Sequence, residues 1–509
     1  MAGLLKVEIY SHNFAVSDIQ PSVRFYVEGF ARKWIQYGFI KEAGRWIRQA
    51  IKGFYSITRD RRELRFHINQ LEAFMRHMEQ NNIDASMIDI VRHGMYIPER
   101  VHLPVFDKWS PRDYQEPVID YIMDYNPPLA KFVALQTGRG KTYCALQAAS
   151  QLGYRLLIIV RPMYMDKWQE DVMKTYDIDF QDMVVVTGSK SLLALLEQGA
   201  EDDLTAKVII ISNKTLQPYL KLYEQFQDQI SDLGYACVPQ DLCKTLKVGT
   251  IIEDEIHQDF HLNFKLFTYT HVPKTISLSA TLLSDDDFIM QMYETTFPSQ
   301  SRYHGGALEK YVNATSILYQ IKNPNKLRYQ DYSRKTYSHT MFEESVMKNQ
   351  YLLANYLRMI GDLVQEYWLN NEYVPGDRCL VYCARIEFCS VVVEYLKKRF
   401  STKDVRRYVE NDPYENIMTA DLSVSTPGSA GTGLDIPNLT TVLLTVAMTS
   451  SPGNIQGFGR LRDLTPKRTK FIYFTCDDIP KHREYNERKR VLLSERALTY
   501  NELKYPRVL

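Results

Sequence analysis

From Asp107 onward, apolar runs of strand length alternate with stretches of helical period. The first series predicts strands at 131–135, 155–160, 182–186, 206–212, 248–253 and 275–279. A second predicts strands near 315–321, 378–383, 421–426, 441–446 and 469–475, with "RIEFCSVVVEYLKKRF" (385–400) as an amphipathic helix among them. Runs such as "LLIIV" (156–160) are apolar at every position, as a strand covered on both faces requires. Strands alternating with helices predict an α/β fold of two parallel-sheet lobes in tandem. "PSQSRYHGG" (298–306) has the composition of a hinge between them. Residues 323–345 are polar, aromatic and aperiodic, and predict an irregular excursion. The segment after Pro480, with "KHR" and "RKR", predicts a terminal helix in a basic tail. No repeat of fixed period and no low-complexity segment occurs.

The first 107 residues read differently. Between Arg24 and Arg65 lie eleven basic residues against four acidic ones, a local excess of seven. Phe25, Tyr26, Phe30, Trp34, Tyr37, Phe39, Trp46, Phe54 and Tyr55 are interleaved with them. One reading is a helical accessory domain with an aromatic core and a solvated basic face. The other is a nucleic-acid contact surface. The expected division is therefore 1–107 as a small N-terminal accessory domain, 108–302 and 303–480 as the two lobes, and 481–509 as a basic tail.

Length and charge narrow the class. With 509 residues the chain is too long for one ordinary core. A formal net charge of +1 gives no global field, so attraction to a polyanion must be local. Seven dispersed cysteines without a CxxC pair argue for a reducing compartment and against a disulfide framework or zinc site. Lys6 and Glu8 interrupt the start before any long apolar run, and no run spans a bilayer. A cytoplasmic protein without membrane partners is expected.

The candidate chemistry begins at "KFVALQTGRGKTYCALQAAS" (131–150), a strand, a small-residue turn and a helix. In such a turn, glycines let backbone N–H groups converge on phosphate oxygens at a helix N-terminus. Thr137, Gly138, Arg139 and Gly140 form the cradle, with Lys141 for the β/γ-phosphates and Thr142 for Mg2+. Leu135 stands where the usual pattern has glycine. "GTIIEDEIHQDF" (249–260) ends a strand in Asp254 and Glu255, at the sheet edge where ligands bind. Asp254 can hold Mg2+, and Glu255 can orient or deprotonate an attacking water. Taken together, these two signals predict a nucleotide-hydrolysis site.

"DEIH" (254–257) followed by "SLSAT" (277–281) resembles motifs II and III of superfamily 2 helicases. "SPRDYQ" (110–115) resembles the segment before motif I, in which Gln115 would read adenine. "LLIIVRPMYMDKW" (156–168) and "VIIISNKTL" (208–216) resemble the DNA-contact motifs of the first lobe, which implies roles for Arg161 and Thr215. "RCLVYCARIE" (378–387) with Arg385, "STPGSAGTGLDIP" (425–437) and "NIQGFGRLRD" (454–463) resemble motifs IV, V and VI. The resemblance covers about 108–475, in order, and implies two RecA-like lobes. It implies that Thr432 contacts DNA, that Gly433 and Asp435 face the nucleotide, and that Gln456, Arg460 and Arg462 complete the catalytic set from the second lobe. A finger arginine supplied in this way can be worth ~10³–10⁵ in rate. The family usually spaces its last arginine three residues after the first, whereas here the spacing is two.

Gln456 stands where RNA-directed members typically carry histidine, which leans toward DNA. Length, a small basic N-terminal domain and a compact second lobe resemble the branched-DNA recombination helicases of phages. The implied activity is ATP-driven movement by a monomer on branched or duplex DNA, tracking a single strand, with RNA–DNA hybrid as a further substrate. Lys33, Arg45, Arg48, Arg59, Arg61 and Arg62 are then the candidate DNA-binding residues of the N-terminal patch. Two alternatives stay open: an RNA or RNA–DNA hybrid helicase, and the motor subunit of a restriction-type DNA translocase. For the latter, no nuclease-like acidic cluster stands out in 1–107 or 476–509.

Overall fold

The computed structural model describes residues 3–509 except 43–44, 136–137, 280–281, 285, 306–308, 332–335, 371, 411, 431–435, 449–453, 455–456 and 465. Side chains of 40–46 and of 228 also lie outside the described set. The chain forms two compact units, one of Met1–Leu135, Arg139–Leu282 and Asp286–Gly306, the other built on Ala307–Leu509.

The first unit opens with a five-stranded sheet and not with a helical domain. Its strands are β1 (Leu5–Ile9), β2 (Asn13–Ser17), β5 (Ser56–Ile57), β6 (Leu64–His67) and β7 (Ile88–Arg92), in the order β5-β6-β2-β1-β7. Between β2 and β5 come the helix Pro21–Arg32 and a separate ribbon of β3 (Ile35–Glu42) with β4 (Arg45–Gly53). These strands are two to five residues long, and buried ones such as "NFAVS" and "LRFH" carry polar residues, so neither an unbroken apolar run nor a clean alternation marks the sheet in the sequence.

The six-stranded sheet of the first lobe is parallel throughout. Its strands are β8 (Ala130–Ala134), β9 (Arg155–Val160), β10 (Met183–Val186), β11 (Val208–Ser212), β12 (Val248–Asp254) and β13 (Lys274–Ser279), in the order β10-β11-β9-β12-β13-β8. Leu156, Leu157, Ile158, Ile159 and Val160 are all buried, so both faces of β9 are covered.

The N-terminal sheet shares a core with this lobe. Phe54 packs on Phe264 with ring centroids 5.2 Å apart, and also meets Phe260, His261 and Phe288. Polar contacts stitch the seam: Asn13 Nδ2 donates to Thr270 O at 2.8 Å, and Ser56 Oγ meets Thr268 Oγ1 at 2.8 Å. The aromatic residues that looked like a private core are thus divided. Phe30, Trp34 and Phe54 are buried, whereas Phe25, Tyr37 and Phe39 are exposed.

In the second unit, β14 (Val312–Gln320), β17 (Arg378–Tyr382), β18 (Val405–Tyr408), β19 (Leu422–Ser425), β20 (Leu439–Leu444), β21 (Thr469–Cys476) and β22 (Thr499–Val508) form a parallel sheet. The order is β18-β19-β17-β20-β21-β14-β22. The stretch expected to be irregular holds a two-stranded ribbon, β15 (Gln330–Asp331) with β16 (Thr336–Tyr337), and then the helix His339–Lys348. The terminal helix expected after Pro480 is present as Pro480–Arg496, and it is followed by a strand that was not expected, β22 against β14. Its Lys489 is buried over the Tyr473 ring at 4.9 Å, and burial pulls its amine down to about 7. Among the described residues no helix is long and apolar enough to cross a membrane.

Burial pushes His12 and His67 down to about 3 and His261 to about 4, all at the seam of the first unit. These imidazoles are neutral when folded and take up a proton below about pH 6.5 when unfolded. Each therefore withdraws up to about 1.4 kcal/mol per pH unit as the pH falls from 6.5 toward 4. The thermal midpoint of the first unit is expected to drop over that window, with a shallower slope in His12→Asn. Calorimetry across pH checks this, and a flat profile would mean that the seam histidines are protonated in the fold.

Candidate functional site

The carboxyl ends of β8, β12 and β13 bring the candidate residues of the first lobe to one sheet edge. After β8 the chain turns through Gly138 (φ +88°) and Gly140 (φ +79°), left-handed conformations that a side chain would strain. Helix Lys141–Leu152 begins directly after, with Thr142 in its first turn. Lys141 Nζ donates to Leu135 O at 3.1 Å. Gln115 is buried against this turn: its Nε2 donates to Arg139 O at 3.1 Å and its Oε1 accepts from Arg112 N at 3.0 Å. A Cβ on residue 140 would lie 2.4 Å from Gln115 Nε2, so the glycine admits the amide. The Arg139 guanidinium lies over the Tyr114 ring at 4.5 Å. Thr137 lies outside the described residues.

Asp254 ends β12 with both carboxylate oxygens engaged. Trp168 Nε1 donates to Oδ2 at 2.9 Å, and the Glu255 amide donates to Oδ1 at 2.9 Å. Burial and the adjacent Glu255 charge push its carboxyl up, while Lys167, Trp168 and Lys141 pull it back. Glu255 has φ +48°, a left-handed backbone in a residue that is not glycine. Its Oε2 lies 3.4 Å from His257 Nδ1, which also lies 2.7 Å from Ser279 Oγ at the end of β13. Burial holds His257 down at about 4, so at neutral pH the imidazole links the two loops without placing a positive charge beside Glu255.

Asp259 is a residue that sequence reasoning missed. Its carboxylate accepts from Arg161 Nε (2.9 Å), Asn213 Nδ2 (3.2 Å) and Lys214 Nζ (3.2 Å), while Arg161 Nη1 also reaches Gln258 at 2.6 Å. Burial alone would raise its carboxyl, but these donors hold it below the usual carboxylate range. One acid five residues beyond Asp254 thus ties both loops expected to contact DNA to the loop after β12. Thr215, expected at the nucleic-acid surface, is instead buried, its hydroxyl accepting from Gly188 N at 3.0 Å. It fixes the loop from within.

On the second unit Arg385 is paired with Glu344 (3.5 Å) and Glu387 (3.3 Å). The fully buried Glu343 accepts from the backbone N–H groups of Ala384 (2.8 Å) and Arg385 (2.7 Å), fixing the turn that leads into helix Ile386–Arg399. Arg460 is 5 % exposed and hydrogen-bonds the Tyr382 hydroxyl, which donates onward to Ala430 O at 2.8 Å. One tyrosine thus joins the ends of three sequence motifs. Arg462 Nη1 donates to Gly459 O at 2.6 Å. Gln456, Thr432, Gly433 and Asp435 lie outside the described residues. No pattern in the sequence marked Glu343 or Tyr382, because a buried acid and a strand tyrosine look like any others until the strands are paired.

The N-terminal candidates are spread over two places. Lys33 Nζ lies 3.1 Å from His77 Nδ1, Arg61 pairs with Glu28 at 3.7 Å, and Arg62 pairs with Asp60 at 3.5 Å. Arg59 is exposed in the same turn as Arg61 and Arg62. Arg48 stands on β4, and Arg45 begins that strand with its side chain outside the described set.

The family model described as type III restriction enzyme, res subunit (ResIII), matches residues 108–284. No curated protein sequence matches. Among solved structures, a variant of S. cerevisiae Dbp5 bound to RNA and ADP BeF3 has a TM-score of 0.50 at 12% identity, covering 78% of this chain and 90% of that one. The Pyrococcus furiosus Hef helicase domain gives 0.44 at 14% identity, over 74% and 98%. T4 UvsW gives 0.33 at 13% identity, over 98% and 99%.

Asp259→Ala is expected to cost about 1–2 kcal/mol, a figure kept small because Arg161 is one-third exposed. Asp259→Asn should retain part of it. Urea unfolding of the full chain tests this, and an unchanged midpoint would show that the three donors are held elsewhere. Residues 108–284 are thus similar to the res-subunit family model, and the α/β fold is that of two RecA-like parallel-sheet lobes.

Proposed function

We propose that the chain is an ATP-dependent DNA helicase or translocase of superfamily 2 that remodels branched DNA in replication, recombination and repair. The observation that carries this reading is the convergence of Lys141, Asp254 and Glu255 at one sheet edge, with His257 joining Glu255 to Ser279.

The residues present fit a nucleotide with a divalent cation. Two left-handed glycines open the backbone ahead of a helix N-terminus, where N–H groups and the helix dipole favour phosphate. Lys141 supplies the cation, and Thr142 with Asp254 supplies hard oxygen donors for Mg2+. Bound ATP·Mg2+ would supply the phosphoryl group and the charge neutralisation its transfer needs. Glu255 is the base that orients and deprotonates the attacking water, and the neutral His257 positions its carboxylate. Arg460 is assigned the finger and Arg462 its companion, with Gln456, Gly433 and Asp435 completing the nucleotide side by resemblance. Gln115 holds the phosphate turn through the Arg139 carbonyl.

DNA is assigned as the substrate on the resemblance of motif VI and on the local basic excess near the N-terminus. Arg161, Arg385 and Thr432 are assigned to backbone contacts, which position without specifying sequence. Thr215 acts by fixing its loop. An RNA or hybrid duplex is the competing substrate, and a panel of forks, four-way junctions, R-loops, RNA duplexes and single strands at fixed salt separates them. Greatest stimulation of ATP hydrolysis by RNA duplex would remove the DNA reading.

Lys141→Ala is expected to abolish stimulated ATP hydrolysis, and Glu255→Gln to lower it about 10²–10⁴-fold while retaining nucleotide binding. Turnover close to wild type in Glu255→Gln would remove the base assignment. Neutralising Arg45, Arg48, Arg61 and Arg62 together should weaken DNA binding and flatten its salt dependence. Titrations at three salt concentrations read the slope; an unaltered one leaves these arginines as a solvated face.

A further inference from the structure

The ribbon of β3 and β4 pairs with no third strand among the described residues. Its root is fixed. Phe54 sits in the shared core, its amide donates to Trp34 O at 2.8 Å, and His261 Nε2 meets Gly53 O at 2.8 Å. From there two strands of eight and nine residues extend about 25 Å.

Register assigns its faces. Tyr37 pairs with Ala50 and Phe39 with Arg48, so Tyr37, Phe39 and Arg48 share one face. Phe39 is 68% exposed and Tyr37 43%, and the Arg48 guanidinium lies over the Tyr37 ring at 4.7 Å. On the other face Ile51 lies across Gly38, where a Cβ would come within 2.0 Å of its Cδ1. Gly38 thus lets Ile51 lie across that side, where Ile51 and Ile47 stay exposed like the aromatic face, so the ribbon presents both faces to solvent. Lys41, Arg45, Arg48 and Lys52 outnumber the single acid Glu42 along 35–53.

Two exposed rings on a cationic arm suit a polyanion that itself presents flat π faces. A protein-binding surface is typically depleted in lysine, whereas stacking platforms for unpaired bases combine aromatic rings with positive charge. We propose that this ribbon is a stacking wedge: Tyr37 and Phe39 take up unpaired bases where a duplex branch opens, and the cations around them hold the adjoining phosphates. The inference rests on the nucleic-acid reading above and adds to it a strand-opening element outside the two lobes. It requires no base-specific contact, because every base has a face to stack.

The test compares affinity for a forked DNA with affinity for a linear duplex of equal length, in the full chain. Wild type is expected to favour the fork, and Tyr37→Ala/Phe39→Ala to lose at least about tenfold of that preference, as the removal of two stacking partners implies. Tyr37→Trp/Phe39→Trp should retain the preference, whereas Tyr37→Leu/Phe39→Leu, equally apolar but without rings, should lose it. Thermal midpoints of all variants control for folding. Undiminished fork preference in both the alanine and leucine pairs overturns the wedge. Variants that change the sedimentation behaviour but not fork binding also overturn it, assigning the face to a second copy of the chain. Wild type that binds neither DNA would instead overturn the nucleic-acid reading on which the wedge rests.

Discussion

A parallel sheet sends the carboxyl end of every strand to the same edge, and in the first lobe that edge determines what is possible. The strands that end there each feed a loop whose side chains meet the others within hydrogen-bond distance. Asp254 is held by Trp168 from the helix after β9, and Glu255 is linked through His257 to Ser279 at the end of β13. Trp168 and Asp254 lie 86 residues apart, and His257 and Ser279 lie 22 apart. They meet because the order β9-β12-β13-β8 makes neighbours of strands far apart along the chain.

Much of the fine positioning falls to residues that do not themselves bear the candidate chemistry. Asp259 gathers three donors from two loops, Glu343 fixes the turn before helix Ile386–Arg399, and Tyr382 holds Arg460 against the strand end near Ala430. Each is a buried or half-buried polar group with its partners satisfied, which is the condition under which such groups specify one arrangement. The pattern is the same on both units.

The parallel lobes were legible because strands buried on both faces are apolar at every position, as "LLIIV" is, and their predicted limits lie within a few residues of those found. The N-terminal sheet was not, since its strands are short and its aromatic residues serve two different surroundings. Val405–Tyr408 and Thr499–Val508 also escaped, because "VRRY" and "TYNELKYPRV" are mostly polar edge strands. At the site, motif spacing identified which residues bear charge, but not which of them are already engaged. Thr215 shows the difference: resemblance to a motif marked it as a contact, yet its hydroxyl is turned inward to Gly188.

The left-handed backbone at Glu255 has an evolutionary corollary. A carboxylate side chain there forces the main chain into a conformation that glycine or asparagine tolerates far better, at a cost on the order of 1 kcal/mol. Selection for robustness alone would drift toward those two residues. On the reading proposed above, the glutamate keeps its carboxylate at that cost, and a thermostabilising screen run without an activity filter should recover Gly or Asn there.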